Sequence, residues 1–472
     1  MLAKVELNMH DSNGGLGSGS GTGIFGKVGV SPVDGTRPIV ITGNMDASTI
    51  REKLGNSPLA DACIDSVENG AATIYALPVK ASTNGELSEA SHEGTGKGTV
   101  TASGNPTNDF TLIVQIETSG LTNAATCVIS ENGGQTWGEE QTIPLSGTIT
   151  VPNTGVTLTF AASDGNKFQA GDTYTFEATA PSANNGDILN AVKKFRSSMT
   201  SVELIHVVGV TTTALWGSLE SLGSSMETQS GKPLFFVCEQ RNAKESENAA
   251  AYAEAIAPEA KSVKGRHVCV VSQWARYIRM DGREQDINMA GVITGSLAAI
   301  RESTSLAYTG TDGVNYAEGK IVKLLPEGIE DYIEQLDAAR YLFLRKYEGL
   351  EGYYVAAANM TAPASSDYAN VEDCRVMYRL GREVYKRALL HQNEDFDQDA
   401  AETYYAQVQE DLNVPVDIAK DTDHIISDGR VTILADLVND GKDKKLPIRI
   451  QCKPRAYSRE LTLDMYVVNA IA

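Results

Sequence analysis

Six histidines, six cysteines and 61 side-chain carboxylates are the groups in this 472-residue sequence that could ligate, transfer protons or attack. Their spacing decides between those chemistries. A structural zinc centre needs Cys and His clustered a few residues apart. Cys63, Cys127, Cys238, Cys269, Cys374 and Cys452 are scattered and form no C-x-x-C pair. Several fall in apolar runs such as FFVC and HVCVV, which reads as buried thiols in a reducing compartment. His10, His92, His206, His267, His391 and His424 are equally dispersed, and His206 and His267 lie within apolar strand-like runs, as core residues do. The glycines of GSGSGTG (17–23) lead into a strand-like run and not into a helix, so no dinucleotide-binding turn is expected and a linker is. GTGKGT (94–99) lacks the earlier glycine and the preceding strand of a phosphate-binding P-loop. EDFDQD (394–399) lacks the turn glycine and terminal glutamate of a calcium loop and reads as a solvated helix end. From these residues no catalytic group, metal site or cofactor is expected.

One segment carries a sharper pattern. SENGGQTW (130–137) resembles the Asp-box of sialidases and related proteins, S-x-D-x-G-x-T-W, with Asn132 in the Asp position. In that motif the polar residue, glycine and tryptophan build a hairpin turn, a structural role. A sialidase needs several copies and an arginine cluster, whereas this sequence has one copy and residues 92–185 contain no arginine. The expectation is a hairpin staple.

The formal net charge is −21. Such a surface repels nucleic-acid phosphates and anionic membranes, so neither is an expected partner. No apolar run reaches the ~20 residues that span a bilayer, and the first residues, MLAKVELNMHD, do not read as a secretory signal. Synthesis and folding in the cytoplasm are expected.

The elements that must position these groups fall into a multidomain α+β pattern. Residues 1–23 read as an N-terminal arm and Gly-rich linker. Residues 24–91 open a mixed α/β unit, with strand-like IFGKVGV and RPIVITG, a helix over 47–70 and a buried strand over 71–79. Residues 92–185 change character: short Thr-, Val- and Ile-rich strands at regular intervals, with Lys97 and Lys167 the sole Lys or Arg, read as an inserted all-β sandwich or barrel. Residues 186–360 resume the strand–helix alternation of a parallel or mixed sheet, with helices expected at 291–300 and 328–345. Residues 361–472 read as an α+β assembly domain with a long helix over 374–391 and a C-terminal arm.

Two features suggest association. Both ends are amphipathic strands: Val5, Leu7 and Met9 share one face within 4–9, and Leu461, Leu463, Met465 and Val467 share one within 461–467. A terminal strand must pair with a sheet, its own or a neighbour's. Within the helix over 374–391, Arg375, Arg379, Arg382 and Lys386 recur at i, i+4, i+7 and i+11, one cationic face opposite Val376, Leu380 and Val384. That face reads either as solvated and paired with nearby acids or as a docking stripe for an acidic surface.

The order of these elements resembles the contractile-tail sheath proteins of phages and phage-tail-like particles. The resemblance rests on AKVELNM followed by glycines, NGAATIYALPV after a first helix, the α/β middle and the ending LTLDMYVV. It covers nearly the whole chain apart from a variable insertion near 94–185. It implies a structural subunit, not an enzyme, that polymerises around an inner tube and contracts to drive that tube through a target envelope. It implies strand exchange between subunits through arms placed here at Lys4, Val5, Glu6, Leu7 and Met9 and at Leu461, Leu463, Met465 and Val467. It further implies hexameric rings of the chain itself, contact with an inner tube (candidate residues Arg375, Arg379, Arg382 and Lys386), and baseplate and terminator proteins as partners, within a virion tail or phage-tail-like particle. Two other readings stay open at this point. One is a secreted, adhesin-like protein whose β domain binds glycans. The other is an enzyme, which would need a pocket holding His206 or His267 beside a carboxylate.

Overall fold

The computed structural model describes residues 23–197, 201–434 and 446–459. The arm residues 4–9 and 461–467 lie outside them.

The centre of the chain is an eight-stranded sheet in the order Tyr354–Ala358, Leu342–Arg345, Val268–Val271, Phe235–Glu239, Leu204–Val210, Ile24–Val30, Thr73–Val79, Ile39–Thr42. The six inner strands are parallel and the two edge strands antiparallel. Inner strands of a covered parallel sheet bury both faces, which is why they are near-continuous apolar runs; all of Phe235–Glu239 is buried. The helices Asn185–Ser197 and Thr213–Ser230 pack against this core through Phe195, Trp216 and Leu219. Pro58–Glu68 and Ala290–Ala299 pack against each other, and they approach so closely at Gly295 that a Cβ there would sit 2.4 Å from the Ser66 carbonyl oxygen.

The all-β insertion follows Thr73–Val79. Its larger sheet runs Ser91–Glu93, Thr173–Ala178, Phe110–Thr118, Thr126–Ser130, Gln141–Thr142, and its smaller one Thr99–Gly104, Val156–Ala161, Thr148–Val151. Leu112, Val114 and Ile116 alternate with more exposed neighbours and meet Val100, Leu158 and Phe160 in a core of their own. The chain returns to the α/β unit beside its point of departure: Thr83 and Ser182 exchange backbone hydrogen bonds at 3.0 Å.

The C-terminal unit consists of the helices Val371–Ala388 and Ala401–Asp417 and the antiparallel pair Asp428–Ile433 and Ile448–Lys453. This arrangement bears out the expected fold class, a mixed α/β core with an all-β insertion and an α+β C-terminal unit.

Two elements differ from expectation. The helix over 47–70 is two helices, Ala47–Leu54 and Pro58–Glu68. Gly55, at φ 71°, ends the first, and the Ser57 hydroxyl accepts from Ala60 N–H to start the second ahead of Pro58. The helix over 328–345 is a short helical stretch, Ile329–Tyr332 and Ile333–Ala338, followed by the strand Leu342–Arg345. Leu342, Phe343 and Leu344 are buried in the sheet between its parallel and antiparallel neighbours, a partnership local spacing does not report.

Candidate functional site

The carboxyl ends of parallel strands are where open α/β sheets hold ligands. Here a cleft of about 900 Å³ opens at those ends. Gly29, Val30, Gly209 and Glu239 form its floor, and the insertion roofs it with Asn108, Asp109 and the turn at Gly133 and Gln135. Beneath the floor, neighbouring strands place Lys27 beside His206. Lys27 Nζ donates to His206 Nδ1 at 2.7 Å and to Thr294 Oγ1 at 2.9 Å, so the His206 proton sits on Nε2 and is donated to Glu239 Oε1 at 2.9 Å. Burial lowers Lys27 to about 8, raises Glu239 to about 7 and keeps His206 neutral, its pKa well below the ordinary value. Lys27 and His206 are fully buried, so of the three only Glu239 meets a solute in the cleft. His267 also lies beside a carboxylate, 3.4 Å from Glu227, and is likewise enclosed, with burial lowering it to about 4. The enzyme reading asked for a histidine beside a carboxylate in a pocket. The structure supplies the pairs but encloses both imidazoles.

The insertion is fixed across this cleft by polar contacts. Asn108 Nδ2 donates to Asp61 Oδ2 at 2.8 Å, and Asp61 is shared with Arg279, Arg283 and Arg51. Burial would raise the Asp61 pKa, but the three guanidinium groups outweigh it and hold the carboxylate ionised. The Asp-box-like turn is internally stapled: Ser130 Oγ accepts from Gly134 N–H at 2.8 Å, and Asn132 Oδ1 accepts from Thr136 N–H at 2.9 Å. Its Gln135 then behaves like a strand residue toward Glu284, accepting from that N–H at 2.9 Å and donating to that carbonyl at 3.3 Å. The staple expected from the sequence is thus also a latch to the α/β unit. The loop at 94–99 cradles an anion after all, but an internal one: Thr95 and Gly96 N–H donate to Asp172 Oδ1, and Gln169 N–H to Oδ2.

In the C-terminal unit, Val376, Leu380 and Val384 face a core shared with Val408 and Leu412. The opposite, cationic face is not the open docking stripe expected for Arg375, Arg379, Arg382 and Lys386. Arg375 is 0% exposed and paired with Glu203, with further bonds to the carbonyls of Ile300 and Arg301. Arg379 binds Glu302 and Asp423, and Arg382 donates to the Pro233 carbonyl at 2.7 Å. Lys386 alone stays outside, its side chain 57% exposed beside Glu383. The spacing correctly put the cations on one face. That face meets the α/β unit, because Glu203 and Glu302 are buried there and need counter-charges.

The pair Asp428–Ile433 and Ile448–Lys453 has no third strand among the described residues. One face packs on Ala401–Asp417, while Ile448, Arg449, Gln451 and Lys453 are exposed. Two-stranded sheets are marginal alone. The outer edge of Asp428–Ile433 is capped by its own helix, Asn413 bonding both Val431 N–H and C=O and Gln409 accepting from Ile433 N–H, so Ile448–Lys453 is the edge able to accept a further strand.

Among solved structures, the PVC sheath complex of an extracellular contractile injection system, in its contracted state, shares this fold at 11% identity, with 99% of each chain covered and a TM-score of 0.52. The sheath tail protein of Desulfitobacterium hafniense aligns at 16% identity over 95% of this chain and 100% of that one, TM-score 0.48. The sheath tail protein of Listeria innocua aligns at 12% over 94% and 96%, TM-score 0.46. No curated protein matches the chain. Among the described residues no helix is long and apolar enough to cross a membrane, and no group of three or more Cys, His, Asp or Glu could hold a metal. Family models for the two domains of DUF2586 match residues 2–359 (N-terminal domain) and 367–472 (C-terminal domain), and the chain belongs to that family.

Proposed function

We propose that this chain is the subunit of a contractile sheath, with a structural and not a catalytic role. The observation that carries the reading is the fold shared along 99% of its length with a sheath subunit, together with a C-terminal hairpin whose Ile448–Lys453 edge pairs with no further strand among the described residues. In this reading the arms at 4–9 and 461–467 of neighbouring copies add strands to that hairpin. Each main-chain hydrogen bond contributes only about 0.5–1.5 kcal/mol net, but several per arm keep a mesh connected while the bodies move. Rings of copies stack around an inner tube, with baseplate and terminator proteins at the ends, after assembly in a host cytoplasm. Contraction draws its energy from new contacts between copies. Of the four cations on that helix face, Lys386 is the exposed one that would meet the tube.

The test is negative-stain microscopy of the purified full-length chain at rising concentration. Tubes or stacked rings are expected. A particle that stays the size of one folded chain at every concentration overturns the reading.

A further inference from the structure

The C-terminal unit carries a groove that the described residues leave open. It lies between the second half of Val371–Ala388 and the end of Ala401–Asp417, with a volume of about 330 Å³. Its floor is apolar, formed by Leu380, Leu390, Pro415 and Ile418, and its rim carries Arg379, Lys386 and Arg387 with one carboxylate, Glu383, which pairs with Lys386 at 2.8 Å; Arg387 pairs with Asp411 at 2.5 Å. Leu390 is 73% exposed and Ile418 44%. A soluble surface tolerates single exposed apolar residues, but adjacent ones rimmed by charge mark a contact site. Three cations to one carboxylate line it, so in a chain of net charge −21 this apolar groove favours an apolar residue flanked by carboxylates.

The chain presents that counterpart at the corner between the same two helices. Phe396 is 41% exposed and sits among Glu394, Asp395 and Asp397. It is held rigid: its ring stacks on Tyr404 at 4.3 Å and 4°, and Glu394 is tied to His391 Nδ1 at 2.6 Å and to the Tyr404 hydroxyl at 3.3 Å. A pre-ordered aromatic anchor binds at low entropic cost. None of these corner residues lines the groove of its own chain.

We infer that copies of this chain join head to tail through this pair of features, the acidic Phe396 corner of one copy seating in the Leu390–Ile418 groove of the next. Corner and groove are different patches, so one copy can give its corner to one neighbour and its groove to another; that head-to-tail contact is heterologous and propagates into rings or helices, whereas a reciprocal exchange would close a two-fold pair and give discrete dimers in place of long particles. The inference rests on the sheath reading and adds to the strand arms a second contact, through side chains.

The test mixes two variants of the full chain, Leu390→Cys and Phe396→Cys, assembles them together and treats them with a short bis-maleimide. Five of the six native cysteines are buried, and the wild-type chain treated alike gives the background from Cys452. A two-chain product above that background, formed in the mixture and absent from either variant alone, is expected. As a second measurement, Leu390→Asp and Phe396→Ala chains, each with wild-type circular dichroism, should each lose long particles. Mixed, they should still form no long particles, since no copy then carries both an intact groove and an intact corner. Wild-type particles with no mixed cross-link overturn this contact and leave the sheath reading standing. Wild-type chains that form no particles overturn both. Cross-linking of the groove to an added inner-tube protein, with none between copies, overturns the contact in favour of a tube-docking groove.

Discussion

At the scale of residues, Arg375 and Glu203 are a charge pair withdrawn wholly from water. Removing one partner of such a pair leaves the other buried and uncompensated, typically at about 3–5 kcal/mol. Arg375→Ala is therefore expected to lower the urea midpoint strongly, and Glu203→Gln with Arg375→Met to restore most of it. A loss in the double variant equal to the sum of the two single losses would show that the pair is not coupled. His391 gives a pH dependence. Burial disfavours its charged form, but the bonds to Glu394 and Asp411 outweigh this and raise its pKa above the ordinary value. The unfolded chain releases that proton first as pH rises. The contribution is therefore complete below about pH 6.5 and lost as pH climbs through the raised value. The difference in melting temperature between wild type and His391→Gln should be largest near pH 5.5 and smallest near pH 8.5. His206 has the opposite sign: its lowered pKa makes acid, not base, the condition that weakens the α/β unit.

At the scale of elements, the insertion is joined to its host by polar contacts across a wide cleft, and its two connections are paired at Thr83 and Ser182. Interfaces of this kind belong to separable units. Replacing residues 84–181 by an Asn-Gly turn, which suits a two-residue hairpin, should leave a folded, soluble chain. Its circular dichroism should lose β signal and keep its helical bands. Collapse into aggregate would show that the insertion is part of the host core. The buried strands of the sheet were legible because parallel strands must be apolar on both faces, as LIHVVGV and FFVCE are. Leu342–Arg345 was not, because three apolar residues beside a helical pattern fit either state. The arginine row shows the limit of periodicity, which tells which side chains share a face and not what that face meets. The role of GTGKGT depends on Asp172, more than seventy positions downstream, and the groove at Leu390 joins segments from two helices and a turn. Neither leaves a local signature.

At the scale of the whole molecule, the proposed polymerisation runs through the ends. Deleting residues 1–15 removes no residue of the described cores. The truncated chain should therefore melt as wild type does and fail to form tubes. Ordered tubes from the truncation would show that the N-terminal arm is dispensable for assembly.

The helix Val371–Ala388 is rooted in two hydrophobic cores at once. Cys374 and Tyr378 belong to the core of the central sheet, and Leu380 and Val384 to that of the C-terminal unit. At about 1.5 Å per residue its 18 residues form a rod about 27 Å long. Being clamped by Glu203 at one end and embedded beside the hairpin at the other, the rod leaves little slack. A load on the hairpin therefore reaches the central sheet through a single element.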